Sequence, residues 1–245
     1  EKCTVCGAIT VEPQVIAAKG HAWDDGKVTK EPTLTDEGSM TYTCTVCGET
    51  KVETIEKLSV CDGGKDCPAY SYADVIKEAW YHLSVDYVIE NKLMIGYTDG
   101  SFRPGNDLTR AEMVRIIYNW AGMPAVSGTP AYPDVVEDAW FTDAIIWATQ
   151  NGVVEGYDNG NFGPNDKVTR EQLAAMLYRY AGEPDVHGSL SKFKDADTAS
   201  AYAEDALKWA VEQGILEGYT DDTLRPIRYA TRAEIATMLK RYIEE

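Results

Sequence analysis

Gly96-Tyr97-Thr98-Asp99-Gly100-Ser101-Phe102-Arg103-Pro104 decides the reading of this chain, because it occurs three times. It returns as Gly156-Tyr157-Asp158-Asn159-Gly160-Asn161-Phe162-Gly163-Pro164 and as Gly218-Tyr219-Thr220-Asp221-Asp222-Thr223-Leu224-Arg225-Pro226, at steps of 60 and 62 residues. Five residues beyond each proline stands Thr109-Arg110-Ala111-Glu112, Thr169-Arg170-Glu171-Gln172 or Thr231-Arg232-Ala233-Glu234. Upstream, Tyr72-Ala73-Asp74, Tyr132-Pro133-Asp134 and Phe193-Lys194-Asp195 keep nearly the same steps. Recurrence of several positions in register marks tandem structural repeats.

Each copy reads as helix, loop, helix. The first helix is expected to carry Trp80 and Tyr87, Trp140 and Trp147, or Tyr202 and Trp209, seven residues apart on one face. Asp74, Asp134 and Asp195 are expected to cap or tie down the chain leading into it. It should stop at Asn91-Lys92, Asn151-Gly152 or Gln213-Gly214. Glycine suits the left-handed residue that ends a helix, so Lys92 should cost copy one about 1 kcal/mol. The second helix opens with a capping box, Thr109 with Glu112, Thr169 with Gln172 and Thr231 with Glu234. Its apolar stripe is Met113, Ile116, Ile117 and Trp120, then Leu173, Met176, Leu177 and Tyr180, then Ile235, Met238, Leu239 and Tyr242. One helix pair leaves its apolar face uncovered, so the three copies should share a core in a mainly α, pseudo-threefold bundle. The expected copies are 72–124, 125–184 and 185–245.

These residues resemble the S-layer homology domain, whose members carry three copies of a Gly-Tyr-x-Asp-Gly-x-Phe-x-Pro loop followed by a Thr-Arg-Ala-Glu helix start. The resemblance covers about residues 72–245. It implies a three-lobed helical body on the cell wall of a Gram-positive-type bacterium. There it would bind noncovalently a secondary cell-wall polysaccharide bearing pyruvate ketals, with other surface-layer proteins as further partners. It also implies grooves between copies, lined by Arg110, Arg170 and Arg232, by the loop glycines Gly96, Gly156 and Gly218, and by the aromatics Trp80, Trp140 and Tyr202. The third copy departs from the pattern at Asp222 and Leu224. The chemistry agrees, since a pyruvate ketal is a carboxylate on a sugar. A helix start offers backbone donors and partial positive charge, arginine adds a planar donor pair, an indole offers an apolar plate, and glycine gives clearance.

The first 58 residues are built differently. Cys3-Thr4-Val5-Cys6-Gly7 recurs as Cys44-Thr45-Val46-Cys47-Gly48, so residues 1–10 read as the tail of an earlier copy of a small β-rich module. The stretch from Thr41 to Ile55 alternates and is rich in Thr, Val and Tyr, which predicts a hairpin. The two Cys-x-x-Cys-Gly turns resemble zinc-ribbon knuckles, and the region resembles cysteine-knuckle repeats of gut Firmicutes surface proteins. Zinc on Cys3, Cys6, Cys44 and Cys47, disulfides and free thiols all stand as readings, with His21 a further soft ligand. A junction over 59–71 holds Cys61 and Cys67, six residues apart in a turn-forming loop, and a local disulfide is the preferred reading.

The 245 residues carry a formal net charge of -17, which repels nucleic acid and anionic membrane alike. An anionic partner therefore needs a local basic pocket. The loops lack the alternating ligands and terminal glutamate of a calcium site, and no recurring pair of acids marks a glycosidase. A binding module is the leading reading; a spacer or assembly element that binds no glycan is the alternative.

Overall fold

A computed structural model describes residues 4–7, 20–30, 37–55, 61 and 64–244. The chain divides into two compact units between Val60 and Cys61.

The N-terminal unit contains an antiparallel sheet of β1 (Lys27–Lys30), β2 (Gly38–Thr43) and β3 (Thr50–Ile55), with β2 in the middle. β2 and β3 form the expected hairpin, pairing Thr43 with Thr50 through Gly38 with Ile55. β1 was not foreseen, since it is short and mostly exposed and shows no clean alternation. Its bulge between Val28 and Lys30 interrupts the ladder. The cysteine turn joins β2 to β3, with Gly48 N–H bonded to Cys44 C=O at 2.9 Å and Gly48 at a left-handed φ of 75°.

The second unit is helical. Its first helices are α1 (His82–Glu90), α3 (Thr142–Gln150) and α5 (Glu204–Glu212), and its second helices are α2 (Arg110–Trp120), α4 (Arg170–Tyr180) and α6 (Arg232–Glu244). Two short 3-10 turns, Ala196–Thr198 and Ala201–Ala203, precede α5. Each second helix packs on the first helix of the next copy, α2 on α3 and α4 on α5, and α6 returns to α1. That return closes the threefold. The aliphatic members of the apolar stripes are buried as expected, and their half-buried last members meet: Trp120 lies 4.9 Å from Tyr180 and 5.1 Å from Tyr242, centroid to centroid. The backbone repeats the symmetry, because Leu108 N–H bonds Ala230 C=O, Ala230 N–H bonds Val168 C=O, and Val168 N–H bonds Leu108 C=O. No helix among the described residues is long and apolar enough to cross a membrane.

Trp80, Trp140 and Tyr202 are corrected. They lie just before α1, α3 and α5 rather than on them, and they are exposed, whereas Trp209 is buried and Tyr87 and Trp147 are half-buried against the core. The seven-residue spacing therefore joins a loop aromatic to a helix aromatic. The stop signals do hold. Lys92, Gly152 and Gly214 follow the helix ends with φ of 58°, 69° and 67°. A lysine there has its Cβ crowded by its own backbone, a penalty of roughly 1–2 kcal/mol, partly offset by the smaller unfolded-state entropy of a non-glycine residue. Lys92→Gly should raise stability by about 0.5–1 kcal/mol, seen as a higher denaturant midpoint. An unchanged or lower midpoint would show that Lys92 is unstrained.

Candidate functional site

The second-helix starts hold the molecule together. Thr109 and Thr169 complete full capping boxes, and Thr231 and Glu234 make the same reciprocal bonds. The first two helical amides are consumed by the neighbouring copy. Arg110 and Ala111 N–H bond Asp166 and Pro164 C=O, Arg170 and Glu171 bond Arg228 and Pro226, and Arg232 and Ala233 bond Asn106 and Pro104. The expectation that these starts offer free donors to an anion is thereby corrected, since closing the ring takes them.

The three arginines share this duty. Each is 4% exposed. Arg110 donates from Nε to Phe162 C=O at 2.9 Å and from Nη2 to Glu155 C=O at 2.9 Å. Arg170 reaches Leu224 and Glu217 C=O at 3.0 and 2.8 Å, and Arg232 reaches Phe102 and Ile95 C=O at 2.7 and 2.8 Å. Burial pulls all three below the ordinary arginine pKa. The guanidinium plane also lies over the loop tyrosine of the adjoining copy, Tyr157, Tyr219 or Tyr97, at 4.6–5.0 Å. Nη1 of Arg170 and Arg232 sits 3.7 Å from Glu234 and Glu112. Gln172 occupies the equivalent place near Arg110, which makes no ion pair among the described residues.

The loop is gripped from its other side as well. Asp74 accepts from Phe102 and Arg103 N–H at 2.8 and 2.6 Å, Asp134 from Phe162 and Gly163 at 2.8 and 2.8 Å, and Asp195 from Leu224 and Arg225 at 2.7 and 2.8 Å. These aspartates tie the chain entering the first helix to their own copy's loop, while the alternative of a helix cap is corrected, since no side chain caps α1, α3 or α5. The clamped residue, Arg103, Gly163 or Arg225, has φ of 59°, 72° or 55°, a left-handed geometry that the paired bonds sustain. Leu224 is fully buried like Phe102 and Phe162, and Asp222 takes the positive φ of Gly100 and Gly160, so copy three keeps the loop shape. Gly96, Gly156 and Gly218 are glycine for packing. A Cβ there would overlap the ring of Tyr72, Tyr132 or Phe193 and press on the carbonyl of residue 101, 161 or 223.

Beside each arginine a hollow opens, and each draws on all three copies. One of about 340 Å³ lies between Tyr97, Arg115, Asn119 and Trp140, with Arg232 in its wall. A second, of about 330 Å³, joins Tyr157, Arg179 and Tyr202 to Arg110. A third, of about 180 Å³, joins Tyr219, Arg241 and Trp80 to Arg170. The structure thus brings the predicted arginines, loop glycines and aromatics to common walls, although Gly96, Gly156 and Gly218 serve the wall itself. Sequence reading missed the loop tyrosines and the outer cations. The signal for the tyrosines was the Gly-Tyr pair in every loop. For the cations it was Arg179 and Arg241 standing 62 residues apart, with Arg115 one turn before the equivalent place in copy one.

Comparison with known proteins agrees with this architecture. The profile of the S-layer homology domain matches residues 71–114, 131–174 and 192–236. The chain belongs to this family. A surface-layer 125 kDa protein of Lysinibacillus sphaericus is 33% identical over 66% of the chain and 14% of its own length. A cellulosome-anchoring protein of Acetivibrio thermocellus is 29% identical over 61% of the chain and 35% of its length. An endoglucanase of Bacillus sp. strain KSM-635 is 30% identical over 70% of the chain and 18% of its length. The chain therefore spans a minor part of each of these relatives.

Outside the S-layer homology copies, the N-terminal unit groups His21 with Cys44 and Cys47, and Cys47 Sγ lies 3.3 Å from His21 Nδ1. Amides of Cys47 and Val46 hold the Cys44 thiol down to about 6. Cys6 is exposed and does not join this group, and Cys3 lies outside the described residues, so the expected four-cysteine set is not assembled there. In the helical unit, Cys61 and Cys67 stand as free thiols, and the expected local disulfide is corrected. Cys67 turns instead toward His82 and Asp86 of α1.

Removing a buried arginine strands two loop carbonyls. With charge-assisted bonds contributing about 1.5–3 kcal/mol each, Arg110→Ala should lose roughly 3 kcal/mol or more. Arg110→Lys should recover little of it, because a point cation does not span both carbonyls. Denaturant unfolding decides the matter: a wild-type midpoint for Arg110→Ala would refute the tie.

Proposed function

We propose that this module retains a larger extracellular protein on the bacterial cell wall by binding a pyruvylated secondary cell-wall polysaccharide in the hollows between its copies. Anchoring of a surface protein is the role of the S-layer homology family, and the cell surface is where the chain acts. The three recurring hollows, each with a cation, a tyrosine and an exposed aromatic plate, carry the reading for the ligand.

The first hollow suits an acidic sugar best. Arg115 bonds Asn119 Oδ1 at 3.0 Å and Trp140 C=O at 2.7 Å and has no carboxylate partner among the described residues. Arg179 and Arg241, by contrast, are held by Glu155 and Glu217 at 2.7 and 2.6 Å. Trp140, 55% exposed, offers a free indole for a sugar face. A ketal carboxylate on Arg115 with its ring over Trp140 uses both. In the -17 field such a site works at close range only, where its own cation outweighs the distant acids.

A spacer that binds nothing has no use for exposed indoles beside buried cations, which favours the binding reading. Catalysis fits poorly, because Glu112 and Glu234 serve as caps and the second copy replaces them with Gln172. For the N-terminal unit, the reading is zinc held by Cys44, Cys47 and His21.

Retention on purified wall polymer tests the proposal. Arg115→Ala should weaken binding about 10- to 100-fold, the effect of one charge-assisted hydrogen bond, and Trp140→Ala about tenfold. Chemical removal of pyruvyl groups should abolish it. Undiminished retention by folded variants, or by depyruvylated polymer, would overturn the assignment.

A further inference from the structure

Copy one differs from its siblings on one face of its first helix. His82 and Asp86 are buried there, 3% and 7% exposed, one turn apart. The equivalent pairs are Thr142 with Ile146 and Glu204 with Lys208. Fold maintenance alone is thus served by an alcohol and a hydrocarbon in copy two, yet copy one places an imidazole and a carboxylate at the same two positions.

Those two groups meet the two cysteines of the preceding segment. Ligand atoms of Cys61, Cys67, His82 and Asp86 all lie within 4.8 Å of one another. Cys67 Sγ is 3.4 Å from His82 Nε2 and 3.2 Å from Asp86 Oδ1, and His82 Nε2 is 3.3 Å from Asp86 Oδ2. A tetrahedral zinc ion with thiolate, imidazole and carboxylate ligands sets its donors roughly 3.3–3.8 Å apart, close to the separations among Cys67, His82 and Asp86. The outer contacts also match. His82 Nδ1 lies 3.2 Å from Ile76 C=O, which places the proton on Nδ1 and turns the Nε2 lone pair toward Cys67 and Asp86. Asp86 is steadied by Ala69 N–H at 3.0 Å.

We propose that Cys61, Cys67, His82 and Asp86 form a zinc site that fastens the segment before copy one to α1. On binding, the two thiols release their protons to solvent and both thiolates, the imidazole and the carboxylate coordinate the ion. Copies two and three tie their preceding segments to the far end of the first helix with ordinary hydrogen bonds. Gln150 donates to Ser127 C=O at 2.9 Å, and Glu212 accepts from His187 and Gly188 N–H at 3.2 and 3.0 Å. The site is independent of the sugar hollows and of the N-terminal cysteine turn.

The test uses the whole chain with zinc ions alone, measured by metal analysis, thiol labelling and thermal unfolding. Zinc should slow alkylation of Cys61 and Cys67 by at least roughly tenfold, since a coordinated thiolate is a poor nucleophile, and a chelator should restore it. Cys61→Ser and Asp86→Asn should each remove one zinc equivalent, whereas Cys44→Ser should leave that equivalent in place. Chelation should lower the melting temperature of the helical unit, and added zinc should restore it. The labelling experiment needs no variant, so a variant that fails to fold leaves it decisive. Alkylation indifferent to zinc would overturn the proposal, as would a Cys61–Cys67 disulfide found by peptide mapping of the freshly purified chain.

Discussion

A buried guanidinium laid across two carbonyls of a neighbouring loop is the constraint on which the helical unit depends. Each second helix begins by reaching into the next copy, with two backbone amides and the Nε and Nη2 of one arginine. Three such grips in a cycle leave no copy at an end. An open stack of three would expose one apolar helix face and one ungripped loop, whereas the α6–α1 contact buries both. At Arg110 neutral carbonyls suffice as partners, because each offers lone pairs at charge-assisted distance without the desolvation cost of burying a carboxylate; Arg170 and Arg232 add a glutamate at 3.7 Å.

The hollows follow from the grip. Drawing one copy's loop against another copy's helix start leaves a space bounded by the loop tyrosine, the outer face of the second helix, and the aromatic that precedes the following first helix. The hollows are thus a property of the seams, and no single copy contains a complete one. The seams are chemically unequal. Arg115 has no acidic partner among the described residues, while Arg179 and Arg241 are neutralised by glutamates. Three geometric equivalents therefore need not be three equal sites.

Much of the fold was legible because periodicity and local chemistry specify it. Capping boxes need only residues three apart, a left-handed terminus falls on the residue after the last turn, and the stripe Met113, Ile116, Ile117, Trp120 states its own face. The partners across copies were not legible. A guanidinium aimed at a backbone carbonyl leaves no trace in the sequence, since every residue carries a carbonyl; Arg110, Arg170 and Arg232 consequently read as groove residues for a ligand rather than as ties between copies. For the same reason Asp74 looked like a cap for the nearest helix, although its donors are amides 28 and 29 residues away. Gly96 suggested ligand clearance where Tyr72 needs the room. The pair Cys61 and Cys67 suggested a disulfide by proximity in the chain, and only the fold shows His82 and Asp86 beside them.

Native-state hydrogen exchange at the amides of Leu108, Val168 and Ala230 tests the closed ring most directly. These three donors form the backbone triangle at the heart of the cycle. If the ring closes as described, all three exchange only through unfolding of the whole helical unit, with equal opening free energies that match its global stability. Faster exchange at one of them, with the other two still protected, would mean that one seam opens alone and that the three copies form a chain rather than a ring.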